Sequence, residues 1–385
     1  MRDGLHIIVI ADDITGAAEM AGMAHSRGLR VQLVCDRSVC GVAPADVLVI
    51  ATDTRSMTED EAVAETLRVA SSLSAVVARD SSVLIFKKTD SALRGHVVAE
   101  LKTLMAATGC RSAVYMPANP SKGRVIKGGV YYIKEGRGAA ELVPLHMTAF
   151  SYDPEFPAFT SSLRDRFPDA ADGIIMPDAE SANDIRAIVA RYAGEGTLFA
   201  GAADLFRELL PAGRCDSCDS SALSDGPEEA LILCGSTQSK PEALGLTESA
   251  MPLAVYDGGD DLQPWLDDAM SKHKAGGSLV LTIPHTHRTG RTAAIHLRKM
   301  MAEMTRQLFR VLSCPTDCAI LAPPFRHLII EGGATAWATL HALGWSSFDV
   351  VRELAPGVVR MRATNGTMVT LKPGSYPWAN TINFG

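Results

Sequence analysis

Two carboxylates follow the first apolar segment of the chain at a spacing that could support chemistry. The run Leu5–Ala11 is apolar and rich in β-branched residues, and Asp12 and Asp13 come directly after it. Such a run is typical of a strand that is buried on both faces of a parallel sheet. Burying both carboxylates in an apolar core is unfavourable, so we expect at least one of them to face a crevice. There it could accept a proton, bind a cation or pair with a lysine.

Three later apolar runs are followed by polar side chains in the same way. These are Arg55 after Asp46–Ala51; Lys88, Asp90 and Arg94 after Ser82–Phe86; and Asn119 after Ser112–Met116. Arginine binds a carboxylate or phosphate with two parallel hydrogen bonds, and aspartate accepts hydrogen bonds from hydroxyl groups. The combination predicts an acidic, hydroxylated small molecule as the ligand.

Each of these residues also has a purely structural interpretation. Asp12 or Thr15 could cap the helix that follows, and Arg55 or Arg94 could form a surface ion pair. The recurrence of polar residues at successive strand ends is what favours a functional cluster.

The two adjacent lysines in the third of these segments cannot both belong to the site. Neighbouring residues on a strand point to opposite faces of the sheet. We therefore assign Lys88 to the site and Lys87 to a surface ion pair.

The elements that must position these residues alternate between strand and helix. Helix-like segments follow the strands at Thr15–Arg27, at Thr58–Ala78, which opens with a capping box, and up to about Ala107. Gly123–Ile133 has the pattern of a hairpin that could cover the site. Alternation of this kind predicts a parallel sheet, in which the carboxyl ends of the strands meet at one edge and ligands bind outside that edge.

Length and composition place the chain among large globular proteins. It has 385 residues, of which 47% are hydrophobic, and 37 basic against 44 acidic residues give a net charge of −7. This length exceeds what a single core usually supports, so two α/β domains are expected, at 1–215 and 228–385, joined by the linker-like stretch Pro211–Pro227. No basic footprint for nucleic acid and no apolar stretch long enough for a membrane are visible, so a cytoplasmic protein is expected. The oligomeric state is left open.

The second half contains two turns that suit a phosphate. Strand-like Ala230–Cys234 runs into Gly235, Ser236 and Thr237, and strand-like His327–Ile330 runs into the sequence from Glu331 to Thr335. Glycine, serine and threonine at the start of a helix offer backbone N–H groups and hydroxyls to an anion, so the two turns favour a nucleotide site. Neither is a P-loop, because no Gly-Lys-Ser/Thr follows a GxxxxG frame.

Two residue pairs invite a metal interpretation, and we assign a metal to neither. Cys215 and Cys218 have no second pair nearby, and His285 and His287 lack a third ligand.

Taken together, the motifs resemble those of the four-carbon acid sugar kinase family. They run through the chain in order: ADDITGA at 11–17, Arg55-Ser56, KKTDSALRG at 87–95, PANPSKGR at 117–124, GST at 235–237, GGAT at 332–335 and LKPG at 371–374. The resemblance implies an N-terminal domain that binds the sugar acid and a C-terminal domain that binds ATP. It implies phosphorylation of an acid such as threonate or erythronate with Mg²⁺, in a cleft between two mainly parallel sheets flanked by helices.

The resemblance and the chemistry of phosphoryl transfer together predict roles for individual residues. Asp13 is the preferred base, Asp12 serves orientation or the metal, and Lys88 stabilises charge. Substrate binding falls to Arg55, Asp90, Arg94, Gly95 and Asn119, with Arg55 or Arg94 holding the carboxylate, and nucleotide binding to Ser236, Gly332, Gly333, Ala334, Thr335 and Gly374. Beyond this open choice for Asp12, no protein ligand is assigned to the metal.

The sequence departs from the family pattern at three places. Ala92 replaces a threonine, Ala334 replaces a carboxylate in the nucleotide turn, and Ser375-Tyr376-Pro377-Trp378 replaces an Asn-Phe-Gly ending. Ala334 keeps open the alternative of a sugar-acid-binding protein without catalysis. A haloacid-dehalogenase-type phosphatase is disfavoured, because it needs two aspartates separated by one residue and Asp12 and Asp13 are adjacent.

Overall fold

A computed structural model describes most of the chain. The described residues are 6–35, 45–79, 83–135, 141–153, 155–171, 173–194, 196–211, 229–235, 244–274, 276–284, 290–313 and 324–374. The chain divides into two compact units, Met1–Arg214 and Cys215–Gly385. The predicted linker Pro211–Pro227 lies outside the described residues except for Pro211, so the domain limits 1–215 and 228–385 stay a prediction.

The first unit alternates strands and helices as the sequence predicts. Its strands are β1 (Ile7–Ala11), β2 (Val31–Val34), β3 (Val47–Ala51), β4 (Leu84–Lys88), β5 (Ser112–Met116), β6 (Arg124–Lys127), β7 (Val130–Glu135), β8 (Glu141–Pro144), β9 (Ile174–Ile175) and β10 (Thr197–Gly201). Its helices are α1 (Ile14–His25), α2 (Glu59–Arg79), α3 (Val97–Thr108), α4 (Leu163–Arg166), α5 (Ala182–Tyr192) and α6 (Ala203–Leu209). The predicted capping box is present, since Thr58 N donates to Glu61 Oε2 at 2.9 Å.

The large sheet of this unit is parallel throughout its described pairings. Its strand order is β2-β3-β1-β4-β10-β5-β9. Strand β1 is central and buried along its whole length, which explains its apolar residues on both faces. The late strand β10 inserts between β4 and β5, so the two sequence-adjacent strands are not neighbours in the sheet.

The predicted hairpin forms a separate antiparallel sheet. Strands β6 and β7 pair through Lys127 and Val130, and β8 adds a third strand. Gly128 and Gly129 make the turn with φ of 58° and 71°, a conformation that glycine adopts without a steric penalty. The expectation that this hairpin covers a site stays a prediction.

The second unit is built on another open sheet. Its strands are β11 (Ala230–Cys234), β12 (Thr247–Ala250), β13 (Leu279–Thr282), β14 (His327–Glu331), β15 (Ser347–Ala355), β16 (Val358–Ala363) and β17 (Met368–Lys372). Its helices are α7 (Leu253–Tyr256), α8 (Gln263–Lys274), α9 (Arg291–Leu312) and α10 (Gly333–Leu343). The order β12-β13-β11-β14-β17 is parallel, and β16 and β15 then extend it antiparallel. The predicted α/β class, with mainly parallel sheets, is confirmed. Among the described residues, no helix is long and apolar enough to span a bilayer.

A buried histidine in β14 is expected to make the second unit sensitive to acid. His327 is 4% exposed and its Nε2 lies 2.7 Å from Thr370 Oγ1. Burial, and then the charge of Arg360, lower its pKa from 6.5 to about 3. Below pH ~6.5 the unfolded chain binds a proton that the folded chain does not bind until about pH 3, so stability falls as the pH drops. At pH 5 the expected loss is about 2 kcal/mol.

Thermal unfolding of the wild type and of His327→Gln at pH 7.5 and pH 5 measures this effect. We expect a larger acid-induced loss of stability in the wild type than in His327→Gln, with the exposed-histidine variant His341→Gln behaving as the wild type. Equal losses in the wild type and His327→Gln would contradict the assignment.

Candidate active site

The guanidinium group of Arg55 connects three aspartates at the carboxyl edge of the first sheet. Its Nε and Nη2 donate to the two oxygens of Asp12 at 2.9 and 2.8 Å. Its Nη2 also lies 3.1 Å from Asp13 Oδ1, and its Nη1 lies 3.7 Å from Asp90 Oδ1. The expected convergence of the ends of β1, β3 and β4 is therefore present in the structure.

The two adjacent aspartates have different environments. Asp12 is 2% exposed and both of its oxygens are occupied by Arg55. Burial raises the pKa of Asp12, although the charge of Arg55 opposes this effect. The side chain of Asp13 is 17% exposed, so Asp13 is the member of the pair that a solute can reach.

Asp13 both caps helix α1 and remains ionised. Its Oδ1 accepts a hydrogen bond from Gly16 N at 2.9 Å, and its Oδ2 accepts one from Thr15 Oγ1 at 2.5 Å. Burial by itself would raise the pKa of Asp13, but the charges of Arg55 and Lys88 together with the Thr15 hydroxyl hold it below its usual value. The cap that the sequence left open between Asp12 and Thr15 is thus Asp13.

Lys88 lies next to this cap, as predicted. Its Nζ donates to Thr89 O at 2.8 Å, and it is 5% exposed. A Cβ added at Gly16 would lie 3.0 Å from Lys88 Nζ and 2.5 Å from Asp13 Oδ1. The absence of a side chain at Gly16 therefore allows helix α1 to approach both groups.

The assignment of Lys87 to a surface ion pair is wrong. Lys87 is fully buried and forms an ion pair with Glu100 of α3. The same oxygen of Glu100 accepts hydrogen bonds from Thr54 Oγ1 at 2.8 Å and from Thr66 Oγ1 at 3.2 Å. This network supports the 3₁₀ turn at 54–56 that carries Arg55. The alternation of side chains along β4 was predicted correctly, but the burial of the second face was not.

Asp90 and Arg94 form the second ion pair of the cluster. Arg94 Nε and Nη2 donate to the two oxygens of Asp90 at 3.0 and 2.9 Å, and Arg94 Nη1 donates to Asp153 Oδ2 at 3.4 Å. Burial would raise the pKa of Asp90, but Arg55 and Arg94 hold it well below its usual range. Asp153 lies far away in the sequence and has no motif that could have identified it.

The backbone between these residues adopts unusual conformations. Leu93 has a φ of +63° and is completely buried, and Gly95 has a φ of +97°. A Cβ at Gly95 would lie 3.4 Å from Asp12 Oδ2. Positive φ at a non-glycine residue is unfavourable and is found preferentially at functional sites, where the surrounding structure maintains it. Gly95 thus lies against the cluster, and its role in substrate binding stays a prediction.

Asn119, which the sequence predicts to bind the substrate, contacts residues outside the aspartate cluster. With its side-chain amide turned so that the nitrogen faces Asp204 of α6, Asn119 donates to the two carboxylate oxygens of Asp204 at 3.0 and 3.2 Å, and its backbone pairs with that of Arg124. Asp204 also accepts hydrogen bonds from Ser121 N and Oγ, both at 2.8 Å. Asn119 is therefore held by α6 and not by the aspartates around Arg55.

A cavity of about 280 Å³ opens beside the start of α3. Gly95 lines it together with His96, Phe156 and Arg166. The His96 side chain does not cap α3, and its Nε2 lies 2.8 Å from Met57 O. Arg166 Nη1 donates to Pro157 O at 2.9 Å. Through Gly95, the cavity adjoins the cluster around Arg55.

The described parts of the predicted nucleotide motifs meet at the carboxyl edge of the second sheet. Gly332 precedes α10 with a φ of +93°, and Gly332 N donates to Lys372 O at 2.9 Å. A Cβ at Gly235 would lie 2.1 Å from Thr335 Oγ1, so only glycine lets these two turns come together. Gly374 follows β17 at the same edge. The first turn of α10, at Gly333, Ala334 and Thr335, has the backbone geometry that suits a phosphate.

A buried ion pair lies directly beneath this turn and was missed by the sequence reasoning. Lys372 Nζ donates to Glu331 Oε1 at 2.5 Å, and both side chains are at most 2% exposed. The other oxygen of Glu331 has no hydrogen-bond partner among the described residues. The sequence signal that could have predicted this ion pair is the position of the two residues, since Glu331 ends β14 and Lys372 ends β17.

Several predicted positions lie outside the described residues. They are Ser236, Cys215, Cys218, His285, His287 and the segment 375–378. Within the described ranges, no group of three or more His, Cys, Asp or Glu residues could hold a metal ion.

Two family profiles match the chain. A sugar-binding N-terminal domain matches residues 7–171, and a nucleotide-binding C-terminal domain matches residues 249–376. These matches define a two-domain α/β protein with a sugar-binding part and a nucleotide-binding part.

Similar proteins narrow this class further. D-threonate kinase of Salmonella typhimurium is 33% identical over 159 residues, which is 41% of this chain and 35% of that enzyme. 3-Oxo-tetronate kinase of Burkholderia multivorans is 24% identical over 413 residues, covering 95% of this chain and 93% of the relative. The chain belongs to the four-carbon acid sugar kinase family, so the resemblance seen in the motifs is confirmed.

Solved structures agree on the fold. A Salmonella typhimurium LT2 protein superposes with a TM-score of 0.74 at 18% identity, and a Haemophilus influenzae protein with a TM-score of 0.66 at 16% identity. Each alignment covers 98% of both chains. At these identities, the likeness concerns the fold alone.

Proposed function

We propose that the protein transfers the γ-phosphoryl group of ATP to a hydroxyl group of a four-carbon sugar acid such as threonate or erythronate. The observation that carries the proposal is the ionised, reachable carboxylate of Asp13 beside Arg55 and Lys88, in a domain of the sugar-binding family. Kinase relatives with matching domains support it.

In the proposed reaction, Asp13 accepts the proton of the substrate hydroxyl. The hydroxyl oxygen forms a bond to the γ-phosphorus, the bond from that phosphorus to the bridging oxygen breaks, and ADP leaves. Phosphoryl transfer depends mainly on positioning and on stabilisation of negative charge. Lys88 supplies positive charge, and Asp12 keeps Arg55 in place. This confines Asp12 to orientation, because both of its oxygens are already occupied by Arg55.

The nucleotide is proposed to bind at the second sheet. Gly332, Gly333, Ala334 and Thr335 would offer backbone N–H groups to its phosphates, and Ser236 and Gly374 would flank them. Mg²⁺ would neutralise phosphate charge when bound. Mg²⁺ commonly keeps several waters and takes few protein ligands. We place the reaction in the cytoplasm, where ATP is available.

A sugar-acid-binding protein without catalysis is the alternative. Ala334 favours it, because this residue removes a carboxylate from the nucleotide turn. The buried Glu331 lies three residues earlier, and one of its oxygens has no hydrogen-bond partner in the part of the chain that the structure describes, so a carboxylate is still present next to the turn. We therefore favour the kinase.

A substrate panel tests the proposal. The full chain is incubated with ATP, Mg²⁺ and each of the four-carbon sugar acids, and ADP release is measured by a coupled assay. At least one acid is expected to stimulate ADP release. Calorimetry with ATP and Mg²⁺, alone and after the acid, is the second measurement. Acid binding without any affinity for the nucleotide would support the non-catalytic alternative.

A further inference from the structure

Two arginines of the first unit contact the same aromatic ring. The guanidinium carbon of Arg94 lies 5.8 Å from the centroid of the Phe150 ring, and that of Arg124 lies 5.7 Å from it. A cation within about 6 Å of an aromatic face is attracted by the ring quadrupole. Phe150 thus offsets part of the repulsion between two neighbouring positive charges.

Arg124 is anchored beside the aspartate cluster at both its backbone and its side chain. Its backbone pairs with that of Asn119, with N–O distances of 2.8 and 3.1 Å. Its Nη1 donates to Ser91 Oγ, and Ser91 directly follows Asp90. The Arg124 guanidinium is therefore held next to the Asp90–Arg94 ion pair.

The charge partners of the three arginines differ. Arg55 lies within 4 Å of three carboxylates, and Arg94 is bound by both oxygens of Asp90 and contacts Asp153. In the part of the chain that the structure describes, Arg124 has no carboxylate partner, and its one hydrogen-bonded side chain is a neutral serine. Arg124 is half-buried, so its charge is neither fully solvated nor paired.

We propose that Arg124 binds the carboxylate of the substrate and so selects acids over uncharged polyols. This inference rests on the proposed function. It assigns the substrate carboxylate to Arg124 and not to Arg55 or Arg94, because the paired N–H groups of Arg55 and Arg94 already donate to Asp12 and Asp90. Asp13 is connected to Asp90 through Arg55, and Ser91, which holds Arg124, directly follows Asp90. The substrate would then present its carboxylate to Arg124 and its reacting hydroxyl to Asp13.

Binding of a charged and an uncharged ligand tests the assignment. The ligands are the acid selected from the panel and threitol, a four-carbon polyol that lacks the carboxylate. Calorimetry gives the affinity of Arg124→Gln for each, and steady-state assays give KM and kcat. We expect Arg124→Gln to weaken acid binding on the order of 10- to 100-fold, to raise KM more than it lowers kcat and to leave threitol binding near that of the wild type. Arg124→Lys should recover part of the preference.

Two matched variants distinguish this role from a general change in charge. Lys134→Gln removes an exposed positive charge from strand β7 of the same small sheet and should change acid affinity less than about twofold. Arg166→Gln removes the arginine that lines the cavity beside α3 and should leave the preference for the acid intact. Ser91→Ala removes only the anchor of Arg124 and should produce a smaller loss than Arg124→Gln.

The outcomes separate this inference from the proposed function. If Arg124→Gln keeps the preference of the wild type for the acid, or if Arg166→Gln loses it instead, the assignment of Arg124 is wrong. Thermal unfolding of each variant identifies a loss that reflects misfolding, in which case Arg124→Lys and Ser91→Ala decide. A wild type that binds the acid without phosphorylating it would overturn the kinase and leave the binding comparison to decide on Arg124. A wild type that binds no four-carbon acid would overturn both.

Discussion

Asp13→Asn is expected to lower kcat by about 10²- to 10⁴-fold while the protein stays folded. A positioned general base contributes an effect of that size. Asparagine caps a helix about as well as aspartate, so the free energy of unfolding should change by about 1 kcal/mol or less. The measurements are ADP release under saturating substrates and thermal unfolding. Arg55, Lys88 and Thr15 hold the pKa of Asp13 below its usual value. The wild-type rate should therefore begin to fall only at pH values below the usual pKa of an aspartate.

A control for this prediction changes an acid in a similar local position. Asp60 is exposed in the first turn of α2, and Asp60→Asn removes the same charge without touching the cluster. Its activity should equal that of the wild type. An Asp13→Asn variant with near-normal ADP release would show that Asp13 is not the proton acceptor, whatever its effect on stability.

Arg55→Ala is expected to reduce the free energy of unfolding by about 3–5 kcal/mol and to abolish turnover. Removing one partner of a buried ion pair leaves an uncompensated charge, and losses of this size are typical. Without the guanidinium group of Arg55, the negative charges of Asp12, Asp13 and Asp90 would repel one another. Urea unfolding and ADP release are the measurements. Arg55→Lys should recover little, because an ammonium group cannot form the paired hydrogen bonds to Asp12.

The pH dependence of this loss gives a second readout. Asp13 and Asp90 have pKa values below the unfolded value, so the stability that they contribute is present above about pH 4 and is lost as the pH falls through their folded-state pKa values. The difference between wild type and Arg55→Ala should therefore shrink towards acid pH, where protonated carboxyl groups need no partner.

Arg30→Ala is the matched control for Arg55. Arg30 also forms paired hydrogen bonds with one aspartate, at 3.2 and 2.8 Å from Asp46, but its side chain is 54% exposed. Exposed pairs contribute about 0–1 kcal/mol. Equal losses in Arg30→Ala and Arg55→Ala would mean that burial of the cluster does not determine its energetics.

The three aspartates of the site are coupled electrostatically through Arg55. Asp12, Asp13 and Asp90 share one guanidinium group, so a change at any of them alters the charge environment of the others. A double-mutant cycle between Asp12 and Arg55 would measure this coupling, because effects of contacting residues are not additive. The roles of base, positioning residue and carboxylate ligand are thus properties of the cluster.

Much of the first unit could be predicted because its signals are local. The apolar runs at the positions of β1 and β3 are strands that are buried on both faces, and the polar residues after them lie at one sheet edge because parallel strands share an end. The hairpin at Gly128 and Gly129 and the helix start at Glu59 follow from the conformational preferences of a few neighbouring residues, whereas the cap of α1 is Asp13 and not Asp12 or Thr15 as the sequence suggested. The convergence of Asp12, Asp13, Arg55, Lys88 and Asp90 was accordingly expected and is present.

The remaining features depend on contacts between distant segments. Lys87 was assigned to the surface, since nothing near it in the sequence indicates that Glu100 of α3 lies within reach. Asn119 is bound by Asp204, because β10 and the helix that follows it insert beside β5, a strand order that no local pattern encodes. The same applies to Arg124, whose distinction from Arg55 and Arg94 is visible only once the carboxylates are assigned to their partners.

The sequence by itself therefore determined the class of fold, the edge at which polar residues gather and the family to which the chain belongs. The tertiary structure decided how charges are shared at that edge: Arg55 and Arg94 are engaged by aspartates, Asp13 remains reachable, and Arg124 has no carboxylate partner among the described residues. The physical reason is that secondary structure and burial patterns arise from neighbouring residues, whereas electrostatic pairing depends on distances that only strand order and helix packing establish.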